Sequence, residues 1–335
     1  MKILVHCPLP FALAHGGQQV QIERTMAALA AGGMQVEPVR WWDAGQTGDL
    51  IHYFGRMPAE QIRLAKEKQL KVIITELLTA QGSRSHVQLR LQKIISRAVK
   101  HLAPRSFTTA FNWDSYRLAD AVIANTAWEA HLMHYLFDAP KERIHIVPNG
   151  VEEVFLNSPK TGRGPWLVCT ATLTERKRVL ELAQAAVTAQ TPVWIIGRAY
   201  AETDPYARQF YELAAQHPQI VRHEGAISGR AQLAGIYRAA RGFVLLSTME
   251  TRSLSAEEAA ACGCPLLLSD LPWAHATFGE HARYCPITST DHTAACLKSF
   301  YAQAPALPPP PRPATWLDVA RQLKIIYERV LKDWA

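Results

Sequence analysis

Glu250 and Glu258 bracket the stretch Glu250-Thr-Arg-Ser-Leu-Ser-Ala-Glu-Glu258, which runs through Ala-Ala-Ala-Cys-Gly263-Cys-Pro265 into an apolar run starting at Leu266. The pattern predicts a turn, a short helix stopped at a glycine, and then a buried strand, which is where an open α/β sheet places its ligands. A helix start there can hold a phosphate on free backbone N–H groups while carboxylates accept from sugar hydroxyls. That combination suits a nucleotide sugar. The same letters also spell a capping box, Ser255-Ala-Glu-Glu258, in which Glu258 would only satisfy a backbone donor.

A second set of chemically capable residues follows Trp166-Leu-Val-Cys-Thr170, where Arg176, Lys177 and Arg178 precede a helix carrying Val179, Leu180, Leu182 and Ala186. Cations at the carboxyl end of a buried strand can clamp a diphosphate, arginine as a fork and lysine as a point charge. A solvated basic turn is the alternative. Near the amino terminus a strand leads through Ala14-His-Gly16-Gly17 into a helix that stops at Gly32-Gly33, so backbone at Gly16 and Gly17 can approach a ligand closely. No GxGxxG is present, which disfavours a dinucleotide-dependent dehydrogenase.

These segments need a scaffold, and the apolar runs supply it. Ile3–His6, Gln35–Val39, Leu50–Tyr53, Lys71–Thr75, Ala121–Ala124 and Ile144–Val147 alternate with helical patterns. The alternation restarts with Trp166–Thr170, Val193–Ile196, Ile220–Glu224, Gly242–Leu246 and Pro265–Ser269. Such alternation predicts parallel α/β construction, here as two doubly wound domains. A chain of 335 residues also exceeds what one core comfortably supports. The hinge is placed near Pro148-Asn149-Gly150-Val151, ahead of the polar stretch 157–165. Pro308–Pro311 reads as a stiff connector, after which Trp316–Leu331 resumes helical periodicity.

The net charge is +7 and uneven, with 17 basic against 12 acidic residues in 1–150 and 19 against 17 in the remainder. That favours an anionic partner for the first half. Residues 84–105 contain no acid; Val87, Leu91, Ile94, Ile95, Ala98 and Leu102 share one helical face, with Arg90, Lys93, Arg97 and Lys100 elsewhere. A helix of this type can lie on an anionic membrane, each basic residue contributing about 1 kcal/mol. The alternative is a domain helix whose apolar face packs on the sheet. With no aromatic residues interleaved among these cations, nucleic acid is not an expected partner. The six cysteines are scattered and read as reduced, mostly buried thiols, Cys262 and Cys264 included; no metal site is expected. The start of the chain lacks a signal-peptide pattern and no run approaches a membrane span, so a cytoplasmic protein is expected, peripheral on the inner face of the membrane if the basic helix binds lipid.

Several segments in order resemble glycosyltransferase family 4: Gly16-Gly17, Val147-Pro-Asn-Gly-Val151 with Phe155, Thr172-Leu-Thr-Glu-Arg-Lys177, His223-Glu-Gly225-Ala-Ile-Ser228 with Leu233 and Tyr237, and Glu250…Glu258-Ala-Ala-Ala-Cys-Gly263-Cys-Pro265. The resemblance spans nearly the whole chain. It implies a GT-B fold of two facing Rossmann-like domains with the site in the cleft and closure assembling it. The domains would be 1–150 for the acceptor, 151–312 for the donor, and 313–335 as a helix crossing back onto the first. It implies retaining transfer of a sugar from a nucleoside diphosphate donor to an acceptor, with neither metal nor further cofactor; the basic segment 84–105 in turn points to a glycan or lipid-linked acceptor of the cell envelope.

By position, Arg176 and Lys177 would bind the diphosphate and stabilise the leaving group, a kind of contribution on the order of 3 kcal/mol for a single donor. Glu258 would take the ribose hydroxyls and Glu250 the donor sugar. Thr251, Arg252, Ser253 and Leu254 would face sugar and phosphate through backbone, Gly225, Ala226, Ile227 and Ser228 would lie against the base, and Gly16 and Gly17 would approach the phosphate or acceptor. Where the family often has Glu-Gly-Phe-Gly, this chain has Glu250-Thr-Arg-Ser253. Arg252 then either replaces an amide contact or points to solvent, and a non-catalytic sugar-nucleotide-binding protein is the alternative. Where the family often has a histidine after the fourth strand, Glu76 follows Thr75 here, in a polar role or a surface one.

Overall fold

The computed structural model describes residues 1–12, 16–103, 111–157 and 162–332. Ala14 and His15 of the glycine turn, Pro104 and Arg105 at the end of the basic segment, and residues 158–161 of the polar junction lie outside the described residues. The chain divides into two compact units, Met1–Gly150 with Ala314–Ala335, and Val151–Pro313.

The first unit contains a six-stranded parallel sheet ordered β2-β1-β3-β4-β5-β6, with β1 Lys2–His6, β2 Gln35–Pro38, β3 Leu50–Phe54, β4 Lys71–Thr75, β5 Ala121–Ala124 and β6 Ile144–Ile146. Each strand lies where the apolar runs predict, and in the inner strands β1, β3, β4 and β5 apolar residues buried on both faces suit a sheet covered on both sides. Ile3, Leu50, Val72, Ile73, Ile74, Ala121 and Val122 are fully buried. The carboxy-terminal helix Trp316–Lys332 packs on the helix Gly17–Ala31 and buries Trp316, Val319, Leu323 and Tyr327. Its entry explains Gly150. A Cβ there would come within 2.5 Å of the Trp316 nitrogen, so the Pro148-Asn149-Gly150 turn needs glycine to let the returning chain pass. The Tyr327 hydroxyl also shares a 2.6 Å hydrogen bond with Nδ1 of His52, whose Nε2 meets Thr75 Oγ1 at 2.7 Å. Complete burial depresses the His52 pKa to about 3, so the ring is neutral and acts as a structural bridge.

The second unit contains a parallel sheet ordered β12-β11-β10-β7-β8-β9: β7 Leu167–Thr170, β8 Val193–Ile196, β9 Val221–Glu224, β10 Gly242–Leu245, β11 Leu266–Ser269 and β12 Arg283–Cys285. The sequence pattern does not predict β12, whose three residues are too few and too mixed to carry a period. Chain order reverses between β7 and β10, which makes the crevice beyond their carboxyl ends the topological switch point.

The helix His86–Leu102 departs from one expectation. It starts at a capping box, with Ser85 Oγ accepting from the Gln88 N–H and the Gln88 side chain accepting from the Ser85 N–H at 2.9 Å. Its apolar face does not pack on the sheet. Val87, Leu91, Ile94, Ile95 and Leu102 are exposed and Leu89 is its sole buried residue. No described helix is long and apolar enough to cross a membrane.

Candidate functional site

The loops that follow β7 and β10 meet at the switch point and are stitched together there. The Thr248 N–H donates to the Arg176 carbonyl at 2.9 Å, and Arg176 Nη1 donates back to the Met249 carbonyl at 2.7 Å. Arg176 Nη1 also reaches Glu250 Oε1 at 3.1 Å, and Lys177 Nζ bonds the same oxygen. Glu250 is buried, whereas the Arg176 side chain remains 38% exposed. Two cations converge on one carboxylate, so the cluster keeps one net positive charge at the mouth of a strand crevice. It can hold an anion by charge-assisted hydrogen bonds. Thr174 Oγ1 and Ser247 Oγ, on the same two loops, are buried with no protein partner and add polar capacity.

The helix after this crevice, Leu254–Ala261, settles the capping question. Its cap is Ser253, whose Oγ accepts from the Ala256 N–H at 3.4 Å; Ser255 lies within the helix. The predicted Ser255–Glu258 capping box is therefore not formed, and Glu258 finds another partner. Arg230 bridges two carboxylates, bonding Glu258 Oε1 through Nη2 and donating from Nε to Glu152 Oε1 at 2.9 Å. Burial pushes the Glu258 pKa up to about 7 despite the opposing pull of Arg230. Arg230 opens the helix Arg230–Ala239 directly after the Gly225–Ser228 segment that follows β9. Gly225, Ala226 and Ser228 are exposed there, and Ile227 packs partly against the core.

Arg252 does not point to solvent. Its Nε donates to Glu257 Oε1 at 2.6 Å and its Nη2 pairs with the same carboxylate, which is 1% exposed. The cation added between the two positions where the family often has glycine is turned into its own helix. Burial raises the Glu257 pKa while Arg252 opposes the rise. Thr251 and Ser253 are buried and Leu254 partly so.

The structure thus joins Arg176, Lys177 and Glu250, and ties Glu258 to the helix following Gly225–Ser228. Gly16 and Gly17 belong to the other unit, where Gly16 (φ 148°) caps the helix Gly17–Ala31 and both residues are exposed. Glu76 also lies in that unit. It is neither free nor superficial, since Arg56 grips it with both Nε and Nη2 at 2.9 and 3.0 Å while the Tyr116 hydroxyl bonds it too. Sequence reasoning missed Arg230, Glu152 and Glu257. For Arg230, the signal was a cation at a helix start, two residues after a segment already singled out.

Cys169, Cys264 and Cys285 are buried, and none of the six cysteines is in a disulfide. The Cys262 thiol donates to the Phe155 carbonyl at 3.4 Å, and burial raises its pKa to about 12, as suits a packed thiol. Among the described residues, no group of three or more His, Cys, Asp or Glu is placed to hold a metal.

Residues 39–154 match the family model for glycosyltransferase family 4, and residues 164–303 match that for glycosyl transferases group 1. The chain is a family 4-like glycosyltransferase of the GT-B type. No curated protein matches it. Solved structures share the glycosyltransferase's fold at low identity. Sucrose-phosphate synthase from Thermosynechococcus elongatus superposes with a TM-score of 0.66 at 17% identity, over 99% of this chain and 100% of that one. HepE of Anabaena, solved with UDP and glucose, gives 0.64 at 14% identity over 100% and 99%. A glycosyltransferase from Rickettsia africae gives 0.65 at 11% identity over 99% and 98%.

Proposed function

We propose that this glycosyltransferase transfers a sugar from a nucleoside diphosphate donor, held by the unit Val151–Pro313, to a glycan or lipid-linked acceptor of the cell envelope held by the other unit. The observation that carries the donor assignment is the convergence of Arg176 and Lys177 on the buried Glu250 at the switch point. In the donor-free protein Glu250 occupies the two cations as a stand-in anion. A diphosphate brings more negative charge than one carboxylate and draws Arg176 and Lys177 to itself, leaving Glu250 to accept from the donor sugar. As the bond from the anomeric carbon to the diphosphate breaks, charge accumulates on the leaving oxygens, and fixed cations stabilise it with little reorganisation.

The acceptor hydroxyl attacks from the face the diphosphate leaves, so configuration is retained, and a phosphate oxygen takes the hydroxyl proton. This route calls for no side-chain base, no metal and no cofactor beyond the donor. Glu258, oriented by Arg230, accepts from the ribose hydroxyls. The exposed Gly225, Ala226 and Ser228 together with Ile227 offer backbone to the base, and the amino end of the Leu254–Ala261 helix, with Thr251 to Ser253 before it, faces sugar and phosphate. Gly16 and Gly17 offer close backbone approach to the donor phosphate or to the acceptor.

The test is a thermal-shift screen over UDP-, GDP- and ADP-sugars, in which a donor at 100 times its dissociation constant stabilises the protein by about 2.7 kcal/mol. It is paired with donor turnover by Lys177→Ala, expected to lose on the order of 100-fold in kcat while still folding. Unchanged turnover in that variant refutes the role of Lys177. Binding without turnover on a broad acceptor panel favours a non-catalytic sugar-nucleotide-binding protein, a reading the loss of both glycines in Glu250-Thr-Arg-Ser253 supports.

A further inference from the structure

The helix His86–Leu102 is attached to its unit by the wrong side for a core helix. Leu89 alone is buried, His86 meets the Trp128 ring edge-on at 5.6 Å, and polar side chains make further tethers. Lys93 Nζ lies 3.8 Å from the centre of the Tyr135 ring, Lys100 Nζ pairs with Asp138 at 3.3 Å, and Gln92 accepts from Arg84 at 2.5 Å. Tyr135 belongs to the helix Ala127–Phe137 and Asp138 caps its carboxyl end. Because Leu89, Gln92, Lys93, Ser96 and Lys100 fall on one side at 3.6 residues per turn, the opposite side must point away. That side carries Val87 at 75% exposure, Leu91 at 57%, Ile94 at 66%, Ile95 at 53% and Leu102 at 85%. Arg90 and Arg97, both exposed, run along one edge of this stripe. Beside the Lys100 end, Phe111 stacks on Trp113 at 4.8 Å, and Phe111 is 43% exposed.

We infer that this outward face is a membrane-docking surface, seated in the interface of an anionic bilayer with the apolar stripe down and Arg90 and Arg97 at the headgroups. An apolar stripe of five large side chains is wide enough to enter the acyl boundary, and an edge of arginines with no acid from 84 to 105 matches anionic lipid. A second copy of the chain fits the charge less well, since pairing two acid-free helices sets arginine against arginine. A nucleic acid offers nothing to cover the stripe. The docking deepens the acceptor class proposed above and rests on it for the reason such a face exists, because a lipid-linked acceptor is met at the bilayer surface.

The experiment is co-flotation of the full chain with vesicles of phosphatidylcholine alone or of phosphatidylcholine with phosphatidylglycerol. Binding is expected to be at least about tenfold stronger on the anionic vesicles and weakened by raised salt. Leu91→Glu with Ile95→Glu should reduce it by about tenfold or more without lowering the melting temperature, since both side chains are exposed. Arg90→Gln with Arg97→Gln should weaken it several-fold and flatten its salt dependence. No flotation with anionic vesicles, or full binding by the Leu91→Glu, Ile95→Glu variant, overturns the inference. A dimer in sedimentation velocity that the same variant dissociates, with no vesicle binding, also overturns it and assigns the face to a second copy. The UDP-, GDP- and ADP-sugar thermal shifts of that variant should equal those of the parent, so failure of docking and failure of donor binding are read separately.

Discussion

Replacing Glu258 by glutamine is expected to stabilise the protein at alkaline pH and, on the proposed function, to weaken donor binding at the same time. The carboxyl is 7% exposed, and burial sets its pKa at about 7 against an ordinary 4.5, with Arg230 only partly offsetting the desolvation. A carboxyl whose folded pKa lies above its unfolded one holds a proton more tightly in the folded chain. Its contribution to stability is therefore complete below pH 4.5 and is lost as pH rises through 7. At 1.36 kcal/mol per pKa unit, the loss between pH 5 and pH 8 comes to roughly 2.5 kcal/mol. The amide introduced by Glu258→Gln does not titrate, and Arg230 retains Glu152 at 2.9 Å, so no cation is stranded. Urea unfolding at pH 5 and pH 8 should show the stability of Glu258→Gln minus that of the parent growing by about this amount. Donor affinity of the parent should rise from pH 6 to pH 8 as the carboxylate forms, and that of the variant should be lower and flat. A stability difference that does not change with pH would refute the reasoning, because it would mean Arg230 compensates the burial of Glu258 in full.

Two further outcomes follow from buried pairs. Arg252→Ala strands Glu257, 1% exposed, and should cost about 3 kcal/mol at pH 8 in thermal or urea unfolding. The deficit should shrink as pH falls, because burial already raises the Glu257 pKa and a protonated carboxyl no longer needs the cation. Tyr327→Phe removes the hydroxyl at 2.6 Å from buried His52 and should cost about 1–2 kcal/mol. Its melting temperature should fall with the fold intact, and an unchanged melt would show that the bridge contributes nothing.

How much of this was legible follows from what each signal reports. Alternating apolar runs report burial on a sheet, so β1 to β11 could be located, whereas Arg283–Cys285 is recruited as β12 by its pairing with β11 and has no period of its own. A helical wheel reports that Val87, Leu91, Ile94 and Ile95 share a face. It does not report whether that face turns inward, because the choice depends on Tyr135 and Asp138, some 40 residues on, capturing Lys93 and Lys100. Arg176 and Lys177 could be found because they sit at a strand end. Their partner Glu250 is 73 residues beyond Lys177 and is brought to them by the pairing of β7 with β10.

The segment Thr251-Arg252-Ser253 shows why a motif departure is a poor guide until its surroundings are known. Loss of flanking glycines and gain of a cation suggest a donor pocket filled or re-charged. Yet the next helix carries two successive buried carboxylates, Glu257 and Glu258, and each has its own arginine: Arg252 on the first and Arg230 on the second. Successive helical residues point about 100° apart, so the two ion pairs lie on different sides of the helix and need not compete. Arg252 is thereby engaged within the fold, and the charge at the switch point is left to Arg176, Lys177 and Glu250. Thr251 and Ser253 are buried rather than projecting, and Ser253 serves as a helix cap. The added cation is absorbed by Glu257, so what the departure changes for the proposed donor chemistry is the backbone at Thr251 and Ser253, where the two glycines are missing.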